Sequence, residues 1–154
     1  MNLEIERRFL VKKNKFTWPH DKKNIKQAYI FIEDNQVLRV RKIDNQSFLT
    51  YKYKKSNIER FEFEYKIPND DAEKLFSLSK NHIIKKTRYY VPIKKHVWEI
   101  DQFHGINNGL LIAEIELSNI DDKIDFPDWV GDEISEDTRY LNFSLAKKPY
   151  TQWH

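Results

Sequence analysis

Cysteine is absent from this chain of 154 residues, and glycine and proline are scarce, at 3 and 5 residues respectively. Without cysteine the chain forms neither disulfides nor thiolate metal sites, and it has no cysteine nucleophile. The few glycines and prolines make no low-complexity stretch that would indicate a linker between domains. We therefore expect one domain over residues 1–154.

Long hydrophobic runs are also missing. No apolar stretch approaches the ~18 residues that a membrane-spanning helix needs. The first residues carry the charged side chains of Glu4, Glu6 and Arg7 instead of the apolar stretch of a secretory signal peptide. We expect a cytoplasmic protein that has no membrane partner.

Charge is abundant but nearly balanced, with 27 Lys and Arg against 24 Asp and Glu and a formal net charge of +3. This small excess does not indicate nucleic-acid binding, which requires a patch of one sign. Hydrophobic residues make up 40% of the chain and aromatic residues 14%, which is enough apolar material for a core. The five histidines show no metal-ligand spacing, and no glycine-rich phosphate loop, nucleophile elbow or zinc motif is present.

Most of the sequence alternates between apolar and polar residues with the period of two that is typical of a strand. This pattern predicts strands over residues 3–11, 25–33, 36–43, 47–54, 60–67, 83–92, 95–103 and 110–117. Asn69, Asp70 and Asp71 are predicted to cap a helix over residues 72–78, and residues beyond 127 are predicted to be irregular or helical. About eight strands in a meander favour closure into a barrel. The predicted fold class is α+β and mainly antiparallel β, an eight-stranded closed barrel with a charged interior and a few peripheral helices.

Charged residues recur two apart on the predicted strands, so the members of each pair point to the same side. Two ordinary explanations are a solvated sheet face and an internal network of salt bridges. Separation of the pairs by sign favours a third explanation, because carboxylates bind hard cations and clustered Arg and Lys bind phosphate oxygens. The groups are Glu4, Glu6 and Arg8; Arg39 and Arg41; Glu62 and Glu64; Lys86 and Arg88; Glu99 and Asp101; Glu114 and Glu116; and Lys52 alone.

The N-terminal run Glu4-Ile5-Glu6-Arg7-Arg8 opens an ordered set of motifs that resembles the CYTH family, also called the triphosphate tunnel metalloenzymes. The similarity covers nearly the whole chain, and the order of the motifs is more specific than any single one. The further motifs are Gln27-Ala28-Tyr29, Leu38-Arg39-Val40-Arg41, Thr50-Tyr51-Lys52, Phe61-Glu62-Phe63-Glu64-Tyr65, Lys86-Thr87-Arg88-Tyr89, Trp98-Glu99-Ile100-Asp101, Ala113-Glu114-Ile115-Glu116-Leu117 and Arg139-Tyr140-x-Asn142.

The resemblance implies an eight-stranded tunnel that acts on a triphosphate-containing small molecule with Mg²⁺ or Mn²⁺. Activities of the family include inorganic triphosphatase, thiamine triphosphatase, RNA triphosphatase and class IV adenylate cyclase. For this chain we expect hydrolysis of the terminal phosphoanhydride of inorganic triphosphate.

The resemblance also implies roles for individual residues. Glu64 would help to place the metal or water, while Arg39, Arg41 and Lys86 would stabilise the charge that develops during the reaction. The expected metal ligands or their supports are Glu4, Glu6, Asp101, Glu114 and Glu116. The expected phosphate-binding cations are Arg8, Arg39, Arg41, Lys52, Lys86 and Arg88.

One residue departs from the family pattern, since Arg8 occupies a position where the family has Lys. Arg is a planar fork and Lys a compact point charge, so we expect phosphate binding to survive with an altered rate or substrate choice. Two alternatives to hydrolysis stay open, an adenylate cyclase and a module that binds polyphosphate or nucleotide without turnover. We expect no nucleic-acid partner, because the cations alternate with carboxylates, and we leave a homodimer open.

Overall fold

The structure, a computed structural model, describes residues 3–153. One sheet contains all of its strands, every pairing is antiparallel, and two α-helices interrupt the strand order. The strands are β1 (Leu3–Val11), β2 (Lys22–Glu33), β3 (Gln36–Ile43), β4 (Gln46–Lys54), β5 (Glu59–Ile67), β6 (Ile84–Ile93), β7 (His96–Phe103), β8 (Leu111–Leu117) and β9 (Val130–Glu133). The helices are α1 (Asn69–Leu78) and α2 (Asn142–Lys147).

The sheet closes on itself between β1 and β5. The strand order is β5-β4-β3-β2-β6-β7-β8-β1-β9, and an additional pairing of β5 with β1 completes a ring of the first eight strands. β1 pairs with β5 only from Leu3 to Ile5, and β9 takes the same edge of β1 at Phe9 and Val11. The predicted eight-stranded closed barrel is therefore confirmed. β9 is a ninth strand outside the ring of eight.

Two local predictions are correct only in part, since a helix does form before β6 and the region beyond residue 127 is mostly irregular or helical. The region beyond residue 127 contains the short strand β9, which extends the open edge of β1 where β5 has ended. α1 begins at Asn69 itself, preceded by Pro68, and no side chain caps it. The side chain of Asn69 instead accepts a hydrogen bond from Ser47 Oγ at 2.7 Å and donates one to the Asn45 carbonyl at 3.0 Å, so it ties the helix start to β4 and the turn before it.

The hydrophobic cores lie on the outside of the barrel wall. On one side the fully buried Trp98 packs edge-on against Phe9 and Trp129, at centroid distances of 5.7 and 5.5 Å. On another side, α1 places Ala72 and Phe76 over the outer faces of β2 and β3. Each large apolar side chain that is fully buried contributes about 1.5–3 kcal/mol. This outer packing offsets the cost of an interior that carries charge.

One end of the barrel is covered by the C-terminal segment, which we define as residues 134–153. Leu145 and Ala146 of α2 are fully buried against Ile84 and Phe103 at this end. The segment therefore forms part of the wall of the interior. No helix among residues 3–153 is both long and apolar enough to span a bilayer.

Candidate active site

The barrel encloses a cavity of about 370 Å³. Every one of the barrel strands contributes at least one lining side chain, and Ser135, Thr138, Leu141, Asn142 and Phe143 of the C-terminal segment add to the lining. The paired charges on the strands therefore face an interior cavity and not a solvated sheet face. The strands contribute Glu4, Glu6, Arg8, Tyr29, Val37, Arg39, Arg41, Lys52, Lys54, Arg60, Glu62, Glu64, Lys86, Arg88, Glu99, Glu114 and Glu116.

The charges are segregated around the ring by the strand order. Carboxylates occupy four neighbouring strands, β7, β8, β1 and β5, and we call them the acidic arc: Glu99, Asp101, Glu114, Glu116, Glu4, Glu6, Glu62 and Glu64. Cations occupy β4, β3 and β6, and we call them the basic arc: Lys52, Lys54, Arg39, Arg41, Lys86 and Arg88. Arg8 and Arg60 are cations that lie within the acidic arc.

The two arcs meet in ion pairs on the β6–β7 side of the ring. Asp101 is fully buried and accepts hydrogen bonds from Lys86 Nζ at 2.7 Å and from Arg88 Nε at 2.8 Å. Burial opposes ionisation of Asp101, but Arg88 and Lys86 hold its pKa well below the ordinary range. Asp101 does not line the cavity, so its position is that of a support for the two cations.

A second set of ion pairs joins the arcs on the β3–β4–β5 side. Glu62 lies 3.4 Å from Arg39 Nη2 and 3.5 Å from Lys52 Nζ. Glu64 Oε2 accepts hydrogen bonds from Arg41 Nη2 and from Thr50 Oγ1, both at 3.0 Å. The described residues make no hydrogen bond to Glu64 Oε1, and the Glu64 side chain, which contributes to the lining of the cavity, keeps 32% of its exposure.

Crowding in the acidic arc shifts several carboxyl groups toward the protonated form. Burial, together with a hydrogen bond to Glu62, raises the pKa of Glu4 to about 8. Burial, together with repulsion from Glu6 and Asp101, raises the pKa of Glu114 to about 7. Burial also raises the pKa of Glu116. A carboxyl group whose pKa is raised to near neutral lies where its ionised form is poorly stabilised.

Arg60 gives part of this compensation. It forms an ion pair with Glu6 and lies 3.9 Å from Glu4 Oε2. Burial opposes ionisation of Glu6, but Arg60 lowers the pKa of Glu6 to about 2. Arg60 was not among the residues predicted from the sequence, although it stands two positions before Glu62 and so shares its strand face.

Three cations of the basic arc shift toward the neutral form, whereas at Arg88 the neighbouring carboxylates outweigh burial and raise the pKa. Burial, with repulsion from Arg39 and Arg60, lowers the pKa of Lys52 to about 7. Burial also lowers the pKa of Lys86 and brings that of Arg41 to about 10, so Arg41 stays charged at neutral pH. The Nε groups of Arg39 and Arg41 are buried and have no hydrogen-bond partner among residues 3–153. Buried donors without acceptors are costly, and an anionic ligand would satisfy them.

Arg8 connects the cavity to the C-terminal segment. Its backbone N–H donates to Ser135 Oγ at 3.0 Å, and its Nη1 donates to the Tyr140 carbonyl at 3.0 Å. Its Nη2 is buried without a partner. One side of the guanidinium is therefore held by protein, and the other is free for a ligand.

The acidic arc is a candidate site for a divalent cation. Among residues 3–153, no three His, Asp or Glu side chains already converge as a metal-binding group. Mg²⁺, however, usually binds through one or two carboxylates, several waters and the phosphates of a substrate. The arc offers carboxylate oxygens, which hard cations prefer, and the raised pKa values of Glu4 and Glu114 indicate negative charge that a cation would relieve. The residues therefore fit a cation that binds together with phosphate.

Comparisons with known proteins agree with this geometry. A family model described as CYTH domain matches residues 2–150. A protein of Acetivibrio thermocellus named inorganic triphosphatase is 38% identical over 151 residues, which cover 97% of each chain. A protein of Nitrosomonas europaea with the same name is 31% identical over 150 residues, covering 93% of this chain and 96% of the relative. A crystal structure of an inorganic triphosphatase matches at 31% identity with a TM-score of 0.67 and covers 93% of each chain.

Proposed function

We propose that this chain, which belongs to the CYTH domain family, hydrolyses the terminal phosphoanhydride of inorganic triphosphate and releases phosphate and pyrophosphate. The observation that carries the proposal is the segregated cavity, in which a basic arc suited to a polyphosphate faces an acidic arc suited to a cation. The names of the two relatives, both inorganic triphosphatases, support the choice of substrate.

The basic arc would hold the triphosphate chain. Arg39 and Arg41 each have a buried Nε without a protein acceptor, which a phosphate oxygen would satisfy. Asp101 already holds the Lys86 ammonium and the Arg88 guanidinium in place, so these groups need little reorganisation when triphosphate binds. Lys52 and Arg8 complete the set of phosphate-binding cations proposed from the sequence.

The acidic arc would hold a divalent cation, Mg²⁺ or Mn²⁺, through Glu4, Glu6, Glu114 and Glu116, with Asp101 as a support. When bound, the cation supplies positive charge to the phosphate oxygens and lowers the barrier to attack on phosphorus. The binding of carboxylates and phosphate by one cation would also join the two sides of the cavity. We propose that activity requires this cation.

Glu64 would orient the attacking water. Its Oε2 is fixed by Thr50 and Arg41, and its Oε1 makes no hydrogen bond with the described residues, so Oε1 can accept one from water. Arg39, Arg41 and Lys86 would stabilise the charge that spreads over the transferred phosphoryl group and the leaving pyrophosphate. These are the roles of the proposed catalytic residues.

Phosphate release from inorganic triphosphate, with ATP in parallel and with or without Mg²⁺ or Mn²⁺, tests the proposal. We expect metal-dependent release of phosphate, faster from triphosphate than from ATP. Pyrophosphate formed from ATP without phosphate would indicate an adenylate cyclase. Tight triphosphate binding by the folded protein without release of any product would indicate a binding module. Either result would contradict the proposal.

We also make four proposals about the protein as a whole. We propose that residues 1–154 act as one tunnel domain and that the protein works in the cytoplasm. The separated charges of the cavity support a small triphosphate and not a nucleic acid as the partner, because the acidic arc would repel a nucleic-acid backbone. The fourth concerns a homodimer, which the sequence leaves open, and gel filtration with light scattering measures the oligomeric state.

A further inference from the structure

Asn142, the first residue of α2, reaches the cavity from the C-terminal segment and contacts Lys86. Its Oδ1 lies 3.0 Å from Lys86 Nζ and 2.8 Å from Gln27 Nε2. Gln27 is fully buried, and Lys86 is 3% exposed. The contact therefore lies inside the protein, beside the cavity that Lys86 and Asn142 both line.

The direction of these hydrogen bonds is fixed by Lys86. A lysine ammonium has donors and no acceptor, so the Asn142 atom that faces it is the amide oxygen. That oxygen then accepts a second hydrogen bond, so Gln27 presents its amide nitrogen. Asn142 thus acts as an acceptor toward both neighbours, and both positions on its oxygen are used.

The ammonium of Lys86 is held at two of its three N–H groups. One donates to Asp101 Oδ2 at 2.7 Å and one to Asn142 Oδ1 at 3.0 Å. The ring of Phe103 lies on another side, with its centroid 5.5 Å from Nζ. Because the ammonium is tetrahedral, two fixed N–H groups determine the direction of the third, which the described residues leave without a partner.

We infer that Asn142 is a positioning residue that aims the third N–H of Lys86 at the triphosphate. This inference rests on the proposed triphosphatase function. Asp101 alone would leave the ammonium free to rotate about the axis of a single hydrogen bond. Asn142 removes that freedom, and Gln27 holds Asn142 in place, so a residue of the C-terminal segment sets the orientation of a phosphate-binding group on β6.

A structural role for Asn142 makes a different prediction. If its amide only fastened α2 to the barrel, replacing it would lower the thermal stability and disturb binding of triphosphate. Positioning of Lys86 instead predicts a loss in kcat with little change in KM, because a group aimed at developing charge acts mainly in the transition state.

Asn142→Leu, Asn142→Asp and Leu145→Val separate the two roles. Leucine fills a similar volume without an acceptor, and we expect kcat for inorganic triphosphate to fall on the order of 10-fold to 100-fold, with KM changed less than about threefold. Aspartate restores an oxygen acceptor, and we expect kcat to recover to within about threefold of wild type while the added negative charge raises KM. Leu145→Val loosens the buried side of α2 without touching Lys86, and we expect it to lower Tm and leave kcat within about twofold.

The outcomes distinguish this inference from the proposed function. An active wild type whose Asn142→Leu variant keeps full kcat would overturn the role of Asn142 alone. The role would also be overturned if Asn142→Asp were as slow as Asn142→Leu, because the acceptor would then not matter. A folded wild type that releases no phosphate would overturn the proposed function and this role with it. If the leucine variant does not fold, Asn142→Ala serves for the same comparison.

Discussion

The acidic and basic arcs of the cavity are opposite in charge but alike in being electrostatically unsatisfied. In the acidic arc, burial and crowding raise the pKa values of Glu4 and Glu114 to about 8 and about 7. In the basic arc, burial and crowding lower the pKa of Lys52 to about 7. In each arc, burial and neighbours of the same sign thus shift the pKa of some groups toward the neutral form.

The way in which the two arcs meet shows why they do not neutralise each other. Ion pairs form where the arcs adjoin, at Asp101 with Lys86 and Arg88, and at Glu62 and Glu64 with their partners. Within the acidic arc, Glu6 lies opposite Glu116 and Glu99 lies opposite Glu114, so strand neighbours there carry charges of the same sign. The barrel therefore keeps a surplus of each charge apart, and a cation and a polyanion would satisfy both.

Loss of a cation from the middle of the basic arc should have the largest effect. Arg39 is 4% exposed, and its Nε lacks a protein partner. We expect Arg39→Ala to lower kcat/KM for inorganic triphosphate by about 100-fold to 1,000-fold. Lys42→Ala is the matched control, because Lys42 lies on the outer face of the same strand and, among the described residues, forms an ion pair only with Glu73 of α1. Similar rates for the two variants would contradict the role of the basic arc.

Removing one negative charge from the acidic arc should raise the metal concentration that activity requires. Glu116 lines the cavity with a raised pKa, and Glu6 faces it across the strands. We expect Glu116→Gln to raise the Mg²⁺ concentration for half-maximal activity about tenfold, with kcat at saturating Mg²⁺ reduced less. Glu73→Gln, on the outer surface, should leave the titration unchanged. A Glu116→Gln protein that needs no more Mg²⁺ than wild type would remove Glu116 from the cation site.

Arg8 is a cation inside the acidic arc, so changing the shape of its side chain tests whether a cation at this position binds phosphate. Arg8→Lys keeps the charge but cannot both donate to the Tyr140 carbonyl and present a second nitrogen in the same plane. We expect KM for triphosphate to rise about 3-fold to 10-fold. Arg7→Lys is the control, because the adjacent Arg7 pairs with Glu133 on the outer side. An unchanged KM in Arg8→Lys would show that the second nitrogen is not used.

A further expected effect concerns stability as a function of pH and not the reaction. Glu114 has an ordinary pKa of 4.5 and a folded pKa of about 7, so between these values the folded chain keeps a proton that the unfolded chain has lost. The free energy of unfolding should therefore fall as pH rises from about 5 to 7, by on the order of 1–3 kcal/mol. Denaturant unfolding without metal measures this slope.

Glu114→Gln should make the slope shallower without abolishing it, because glutamine does not titrate but Glu4, whose pKa is raised to about 8, still contributes. Saturating Mg²⁺ at pH 7 should return part of the lost stability in the wild type, since a cation favours the ionised carboxylates. If the slope is as steep in Glu114→Gln as in wild type, Glu114 is not its source. If Mg²⁺ has no effect on stability, the acidic arc does not bind it at this concentration.

Much of the fold and many of the cavity residues could be predicted from the sequence because both depend on period-two alternation. A residue such as Glu62 or Arg39 is assigned to one face by its own strand alone, and closure of the barrel then makes that face the interior. Arg60 obeys the same rule and could have been included. Strand β9 could not, since its four residues include a glycine and two adjacent acids and show no alternation.

Other features depend on contacts between distant parts of the chain. Asn142 reaches Lys86, 56 positions away, only because the C-terminal segment docks on the end of the barrel. Asp101 is fully buried in ion pairs with Lys86 and Arg88 and does not line the cavity. Alternation places Asp101 on the inner face but cannot distinguish a lining residue from a buried support.

The most direct test of the two-arc account is whether cation and triphosphate bind cooperatively. Calorimetry with the non-hydrolysable imido analogue of triphosphate, with and without saturating Mn²⁺, measures this coupling, and titration of the analogue with Mn²⁺ alone corrects for complex formation in solution. We expect Mn²⁺ to increase the affinity of the protein for the analogue by at least about tenfold, because a bound cation would join the acidic arc to the phosphates. An affinity that is unchanged or weakened by Mn²⁺ would contradict it, since the basic arc would then bind the anion alone.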